Sequence, residues 1–90
     1  MIKVDVTLTN ASGLHARPAA QLVQAVNQYK CSIVRVAKDG REVDAKSMIG
    51  IMSLGAKQGS VLTISVDGPE EVEIVQLLTG LIESGFGEGE

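Results

Sequence analysis

The chain has 90 residues, 44% of them hydrophobic, and a formal net charge of −3 at pH 7. This length predicts a single domain, residues 1–90, with a modest core and no room for an active site enclosed between lobes. The acidic balance argues against a nucleic-acid partner, because phosphate contacts need clustered Lys and Arg and base stacking needs aromatic platforms. Only Tyr29 and Phe86 are aromatic, and the single cysteine and single histidine exclude an internal disulfide and a Cys/His zinc site.

The N-terminal segment alternates apolar and polar residues instead of opening with a basic region and an apolar run. No apolar stretch is long enough to span a bilayer. We therefore expect neither export nor membrane insertion. The lone Cys31 fits a reducing, cytoplasmic location.

The first half of the chain predicts a strand, a helix and a hairpin. Apolar residues at every second position predict a strand over about residues 2–8. After turn residues at 10–13, apolar residues at three- and four-residue spacing predict a helix that ends near Gln28. Two further strands flank Asp39-Gly40, a pair typical of a type I′ turn.

The second half predicts a short helix, a strand and a closing helix. Ser47 precedes the apolar run 48–52 and is a candidate N-cap. A strand covers 61–66, and helical spacing returns over 72–82, while the Gly/Glu-rich tail 85–90 is expected to be frayed. The order β-α-β-β-α-β-α favours an α+β open-faced β-sandwich, a four-stranded antiparallel sheet with three helices on one face.

His15, the only histidine, lies at the start of the first predicted helix. Pro18 fits the first turn of a helix, where backbone amides lack intrahelical partners, so His15 is placed at the N-terminal edge. The amides of Ala16 and Arg17, the helix dipole and the Arg17 guanidinium together favour a phosphate there. His15 is thus a candidate phosphoryl acceptor, although a capping or solvent-exposed histidine is the more frequent case on residue type alone.

The short second helix leaves two questions open. From spacing alone, Ser47 is better explained as an N-cap worth about 1 kcal/mol than as a modification site. The helix and its end also carry more apolar residues than one buried face can use. The apolar residues are Met48, Ile49, Ile51, Met52 and Leu54. In one alternative all five belong to the core. In the other, Met48, Ile49 and Met52 form an exposed docking patch.

Two segments of the chain carry a family resemblance: GLHARPAA, residues 13–20, and KSMIGIMSLG, residues 46–55. The first is similar to the phosphorylation-site signature, and the second to the regulatory-serine segment, of the HPr family, the histidine-containing phosphocarriers of the bacterial phosphoenolpyruvate:sugar phosphotransferase system. The resemblance implies that His15 accepts phosphate on Nδ1 from enzyme I and donates it to IIA domains of sugar permeases, with Arg17 pairing the phosphate. It also implies partner docking through Ala20, Met48, Ile49 and Met52, no cofactor, no metal, and a stoichiometric carrier rather than a turnover enzyme.

The segment around Ser47 resembles HPr of Gram-positive bacteria. The resemblance implies phosphorylation of Ser47 by a serine kinase, removal by a phosphorylase, and a catabolite-control transcription factor as a partner in carbon regulation. One departure from the commonest family pattern is a hairpin, 34–40, that is one residue longer, which a longer hairpin or a bulge absorbs. Some regulatory paralogues have lost the histidine, but this chain keeps both His15 and Ser47.

Two alternatives stay open. The chain could be a regulatory HPr paralogue that signals without feeding a sugar permease. It could instead be a small α+β binding module of another class, in which His15 is only a cap. A monomer is the default expectation.

Overall fold

The computed structural model describes residues 1–11 and 13–87. The helices and strands follow the predicted β-α-β-β-α-β-α order. Their bounds are β1 Ile2–Thr7, α1 Ala16–Val26, β2 Ile33–Lys38, β3 Arg41–Asp44, α2 Met48–Ser53, β4 Val61–Asp67 and α3 Glu71–Glu83.

The four strands form one antiparallel sheet in the order β1-β4-β2-β3. Alternate strand residues are buried on the face that the helices cover, as the period of two predicts. These residues are Val6, Val34, Val36, Leu62, Ile64 and Val66. The opposite face carries exposed charged residues such as Lys3, Arg35 and Glu42. The α+β open-faced sandwich predicted from the sequence is therefore confirmed.

The β2-β3 hairpin turns at Asp39 and Gly40. Their φ angles are 52° and 84°, and two positive φ values are what a type I′ turn requires. The pairing runs without interruption from Arg35 opposite Asp44 to Lys38 opposite Arg41, so no bulge interrupts this hairpin.

The core is built almost entirely from aliphatic side chains. Helix α1 buries Leu22 and Val26, and α3 buries Ile74, Leu78 and Ile82. Each fully buried side chain of this size contributes about 1.5–3 kcal/mol. Among the described residues, no helix is both long and apolar enough to cross a bilayer.

The expectation that 85–90 is frayed is wrong for residues 85–87. Gly85, Phe86 and Gly87 form a tight turn after α3, the 85–87 turn, and Phe86 is only 3% exposed. Phe86 has a φ of 57°, in a left-handed region that disfavours side chains by roughly 1–2 kcal/mol. Burial of the aromatic ring returns about 1.5–3 kcal/mol, which offsets that strain. Residues 88–90 lie outside the described part of the chain.

Candidate functional site

His15 occupies the N-cap position of α1. Its backbone is extended, with φ −90° and ψ −164°, and its carbonyl oxygen accepts the first helical hydrogen bond from the amide of Ala19 at 3.0 Å. The imidazole makes no capping hydrogen bond and is exposed to solvent. His15 therefore begins the helix through its backbone alone, and its ring nitrogens remain available for chemistry.

A close backbone approach fixes the loop before His15. Gly13 has a φ of 67°, and a Cβ atom there would lie 2.6 Å from the carbonyl oxygen of Ala56 and 2.7 Å from the Cα of Lys57. The amide of Leu14 donates to that same Ala56 oxygen at 3.0 Å. Only glycine satisfies both the left-handed φ and this contact. The β1-α1 loop is thus held against the loop that follows α2.

Asn10 holds the other side of the same turn. Its side-chain Nδ2 donates to the carbonyl oxygen of Gly13 at 2.9 Å, and the Gly13 amide donates to the Asn10 carbonyl oxygen at 3.2 Å. Both Asn10 and Leu14 are buried, at 1% and 3% exposure. Sequence reasoning recognised turn residues at 10–13 but did not identify Asn10 as a support of the site. The sequence feature that could have indicated this role is an asparagine in a turn, because Asn side chains commonly form hydrogen bonds with nearby backbone.

The start of α1 offers donors and positive charge for an anion. Ala16 and Arg17 are exposed, and Pro18 has no amide hydrogen, so Ala19 is the first residue that donates into the helix. Within the described residues, the amides of Ala16 and Arg17 donate to no acceptor and the Arg17 guanidinium forms no ion pair. Two open amides, the helix dipole and a guanidinium two residues along the chain from the imidazole can together hold a phosphoryl group on that ring.

Ser47 is the N-cap of α2, as predicted from the sequence. Its Oγ accepts a hydrogen bond from the amide of Gly50 at 3.1 Å. A Cβ atom at Gly50 would lie 3.3 Å from Ser47 and 3.3 Å from the Cβ of Val43, so glycine relieves crowding at this cap. The Ser47 side chain is half-buried and already engaged with the backbone.

The apolar residues of α2 divide between the core and the surface. Ile51 is fully buried and Leu54 is 7% exposed, whereas Ile49 is 83% and Met52 is 42% exposed. Met48 is half-buried and packs against the core. The alternative in which all five apolar residues are core is therefore wrong. Helix α1, which carries the half-buried Ala20, packs against α2.

Two further chemical features lie away from His15. Beyond the opposite end of α1, the Tyr29 hydroxyl donates to the Glu73 carboxylate at 2.7 Å. That hydrogen bond, with desolvation and the negative charges of Glu73 and Glu70, raises the pKa of Tyr29. Across residues 1–11 and 13–87, no three His, Cys, Asp or Glu side chains gather as they would around a metal ion.

The chain is an open-faced sandwich that presents an exposed histidine at a helix start, an arrangement suited to a small phosphocarrier domain. The model of the family described as the PTS HPr component phosphorylation site matches residues 2–84. The phosphocarrier protein HPr of Cupriavidus necator is 46% identical over all 90 residues of both chains. The crystal structure of an HPr from Thermoanaerobacter tengcongensis superposes with a TM-score of 0.95, at 47% identity and full coverage of both chains. The HPr-like protein Crh of Halalkalibacterium halodurans is 40% identical over 92% of this chain and 98% of its own length.

The chain belongs to the HPr family, the phosphocarriers of the phosphotransferase system. This confirms the resemblance drawn from residues 13–20 and 46–55. Its members carry phosphoryl groups between proteins of that system and are not turnover enzymes.

Proposed function

We propose that His15 accepts a phosphoryl group from phosphorylated enzyme I and donates it to the IIA domain of a sugar permease. The observation that carries this proposal is the exposed imidazole at the α1 start, which makes no capping bond while the Ala16 and Arg17 amides stay open. A histidine that served only as a cap would spend its side chain on those amides. Transfer between partner proteins in the cytoplasm, with this chain acting as a single copy, is part of the proposal.

The proposed step is an in-line displacement at phosphorus. A lone pair on Nδ1 of His15 forms a bond to phosphorus as the bond between phosphorus and the donor protein breaks. The Arg17 guanidinium and the two amides neutralise the charge on the phosphoryl oxygens during transfer. The helix dipole contributes only about 0.3–1 kcal/mol at an exposed site, so the group is held loosely enough to be passed on.

We assign partner docking to Met48, Ile49 and Met52 on α2 together with Ala20 on α1. The exposure of Ile49 and Met52 supports this, because an isoleucine that is 83% exposed gains little for folding and is available to bury against a partner. Methionine adapts to different surfaces, which suits one patch that must serve both enzyme I and IIA domains.

We also propose that a serine kinase modifies Ser47, that a phosphorylase reverses it, and that a catabolite-control transcription factor reads the product. Phosphorylation would add about −1.5 to −2 charge at the α2 start. A helix N-terminus tolerates that charge, so the fold is preserved while acidic partners are repelled from the adjacent docking patch. The Gly50 amide that now bonds Ser47 Oγ could bond a phosphoryl oxygen instead.

To test phosphorylation of His15, the chain is incubated with phosphoenolpyruvate and catalytic enzyme I, and the product is analysed by intact-mass spectrometry and phosphorus NMR. We expect one acid-labile phosphoryl group on the wild type, and none on His15→Ala. Ser47→Ala, which keeps the histidine, is the matched control and should be labelled like the wild type. An acid-stable label, or equal labelling of His15→Ala, would contradict the proposal.

The likeness to an HPr-like Crh protein favours a second candidate, a regulatory paralogue that does not feed a permease. Retention of His15 argues for the carrier. Transfer from the phosphorylated chain to a IIA domain separates the two, because a regulatory paralogue would accept phosphate without passing it on.

A further inference from the structure

The 85–87 turn contacts the beginning of the loop that carries His15. A Cβ atom built on Gly85 would lie 3.7 Å from the Cβ of Asn10 and 3.8 Å from Oγ1 of Thr9, which is ordinary van der Waals distance. The Thr9 hydroxyl also donates to the carbonyl oxygen of Ile82 at 3.3 Å, near the end of α3. The end of α3 and the turn after it therefore border residues 9–10.

Residues 9–10 are in turn connected to the phosphoryl-acceptor site. Asn10 forms two hydrogen bonds with Gly13, and Gly13 is pressed against the loop after α2. His15 follows two residues later, and its side chain makes no capping hydrogen bond. Residues 56–57 thus contact the backbone before His15 directly, and the 85–87 turn reaches it through Asn10.

Phe86 anchors that turn. Its side chain is only 3% exposed and belongs to the hydrophobic core. All three turn residues have positive φ, and a non-glycine residue keeps such a backbone only where surrounding packing enforces it. Burial of Phe86 is the packing that enforces it here.

We propose that the 85–87 turn, with Phe86 as its anchor, is a positioning element that sets the backbone at Asn10 and at Gly13 and thereby the place of the His15 imidazole. Phe86 is a positioning residue in this role, since it acts through Asn10 and Gly13. The expected effect on the rate of His15 phosphorylation rests on the proposed function. Its structural consequence, the ordering of Gly13 and Leu14, can be measured without any partner.

The experiment compares Phe86→Ala and Phe86→Leu with two matched controls, Ile64→Ala and Ile64→Val. Ile64 is fully buried in β4 and pairs with Val4 of β1 and Val36 of β2, so its truncations lower stability through the sheet. Phe86→Leu and Ile64→Val keep the comparison decisive if either alanine variant does not fold. For each folded variant, we would measure hydrogen exchange of the Leu14 amide and the kcat and KM of phosphorylation by enzyme I.

We expect the Phe86 variants to speed Leu14 amide exchange and to lower kcat about five- to tenfold, because a displacement of the acceptor by a fraction of an ångström weakens in-line attack. KM should stay unchanged, since the docking residues on α1 and α2 are intact. The Ile64 variants should leave Leu14 exchange and kcat as in the wild type.

Wild-type exchange or wild-type kcat in the folded Phe86 variants would overturn the proposal. Equal changes in the Ile64 variants would overturn it as well, because Phe86 would then be a core residue like any other. If the wild-type chain accepts no phosphate from enzyme I, the proposed function fails, and Leu14 exchange alone still decides whether the 85–87 turn orders the loop.

Discussion

The starts of α1 and α2 have the same backbone arrangement but different chemistry. Both N-cap residues are extended, and the carbonyl oxygen of each accepts the first helical hydrogen bond at 3.0 Å. The Ser47 side chain bonds the Gly50 amide, whereas the His15 side chain makes no capping hydrogen bond, and the amides of Ala16 and Arg17 donate to none of the described residues. An N-cap side chain that is not engaged leaves the amides of the first turn available to an anion, and the loop before it must then be held by other contacts.

The largest effect should come from breaking the support of the α1 start. Gly13→Ala puts a Cβ atom 2.6 Å from the Ala56 oxygen, in addition to an unfavourable φ of 67°. We expect a loss of about 3 kcal/mol in the free energy of unfolding and a severe loss of phosphorylation. Denaturant unfolding checks the first and intact mass the second.

Gly55→Ala is the matched control for that variant. Gly55 has a similar φ of 63°, but a Cβ atom there would meet nothing within 4 Å. Gly55→Ala should lower the free energy of unfolding only by the backbone strain, about 1 kcal/mol. Equal losses for the two variants would mean that the contact with residues 56–57 does not matter.

Removal of charge from the α1 start should slow transfer without unfolding the protein. Arg17→Ala takes away a guanidinium that forms no ion pair with any described residue, so stability should change by less than about 0.5 kcal/mol. The rate of phosphorylation should fall about 100-fold if the guanidinium stabilises transferring charge. Arg35→Ala, on the open face of the sheet, is the control. A wild-type phosphorylation rate for Arg17→Ala would show that Arg17 does not act in phosphoryl transfer.

Substitution at the α2 start should lower stability and leave phosphorylation of His15 unchanged. Ser47→Ala removes a side-chain cap and should lower the free energy of unfolding by about 1 kcal/mol, while His15 phosphorylation stays at the wild-type rate. His15→Ala removes no capping bond and should change stability by less than about 0.5 kcal/mol. Thermal unfolding of both variants checks the pair, and a larger destabilisation by His15→Ala would reverse the comparison.

The smallest effect should appear at Tyr29, away from both helix starts. The raised pKa means that the folded state holds the phenol proton more tightly than the unfolded state does, whose pKa is near 10. This contribution to stability is fully present below pH 10.0 and is lost as pH rises through the folded-state pKa. The midpoint of thermal unfolding should thus fall more steeply above about pH 10 for the wild type than for Tyr29→Phe. Parallel curves would show that the bond to Glu73 is not formed in solution.

Residue patterns in the sequence predicted those structural features that depend on neighbouring residues in the chain. The Asp39-Gly40 turn, the Ser47 cap and the order of helices and strands along the chain follow from residue type and spacing. The contact of Gly13 with residues 56–57 joins segments more than forty positions apart, and no pattern near Gly13 encodes it. The burial of Phe86 could not be predicted, because the glycines and glutamates around it are typical of a frayed tail and the core that buries it forms only in the folded chain. The division of α2 between Ile51 inside and Ile49 outside also required the packed structure.

The central claim is that the unengaged imidazole of His15 carries the phosphoryl group. Nitrogen NMR of the His15 ring, recorded before and after incubation with phosphoenolpyruvate and enzyme I, tests it most directly. We predict that the Nδ1 resonance moves and couples to phosphorus, and that it returns to its original position after a IIA domain is added. A ring whose resonances stay unchanged while the chain gains phosphate would contradict the claim and place the group elsewhere.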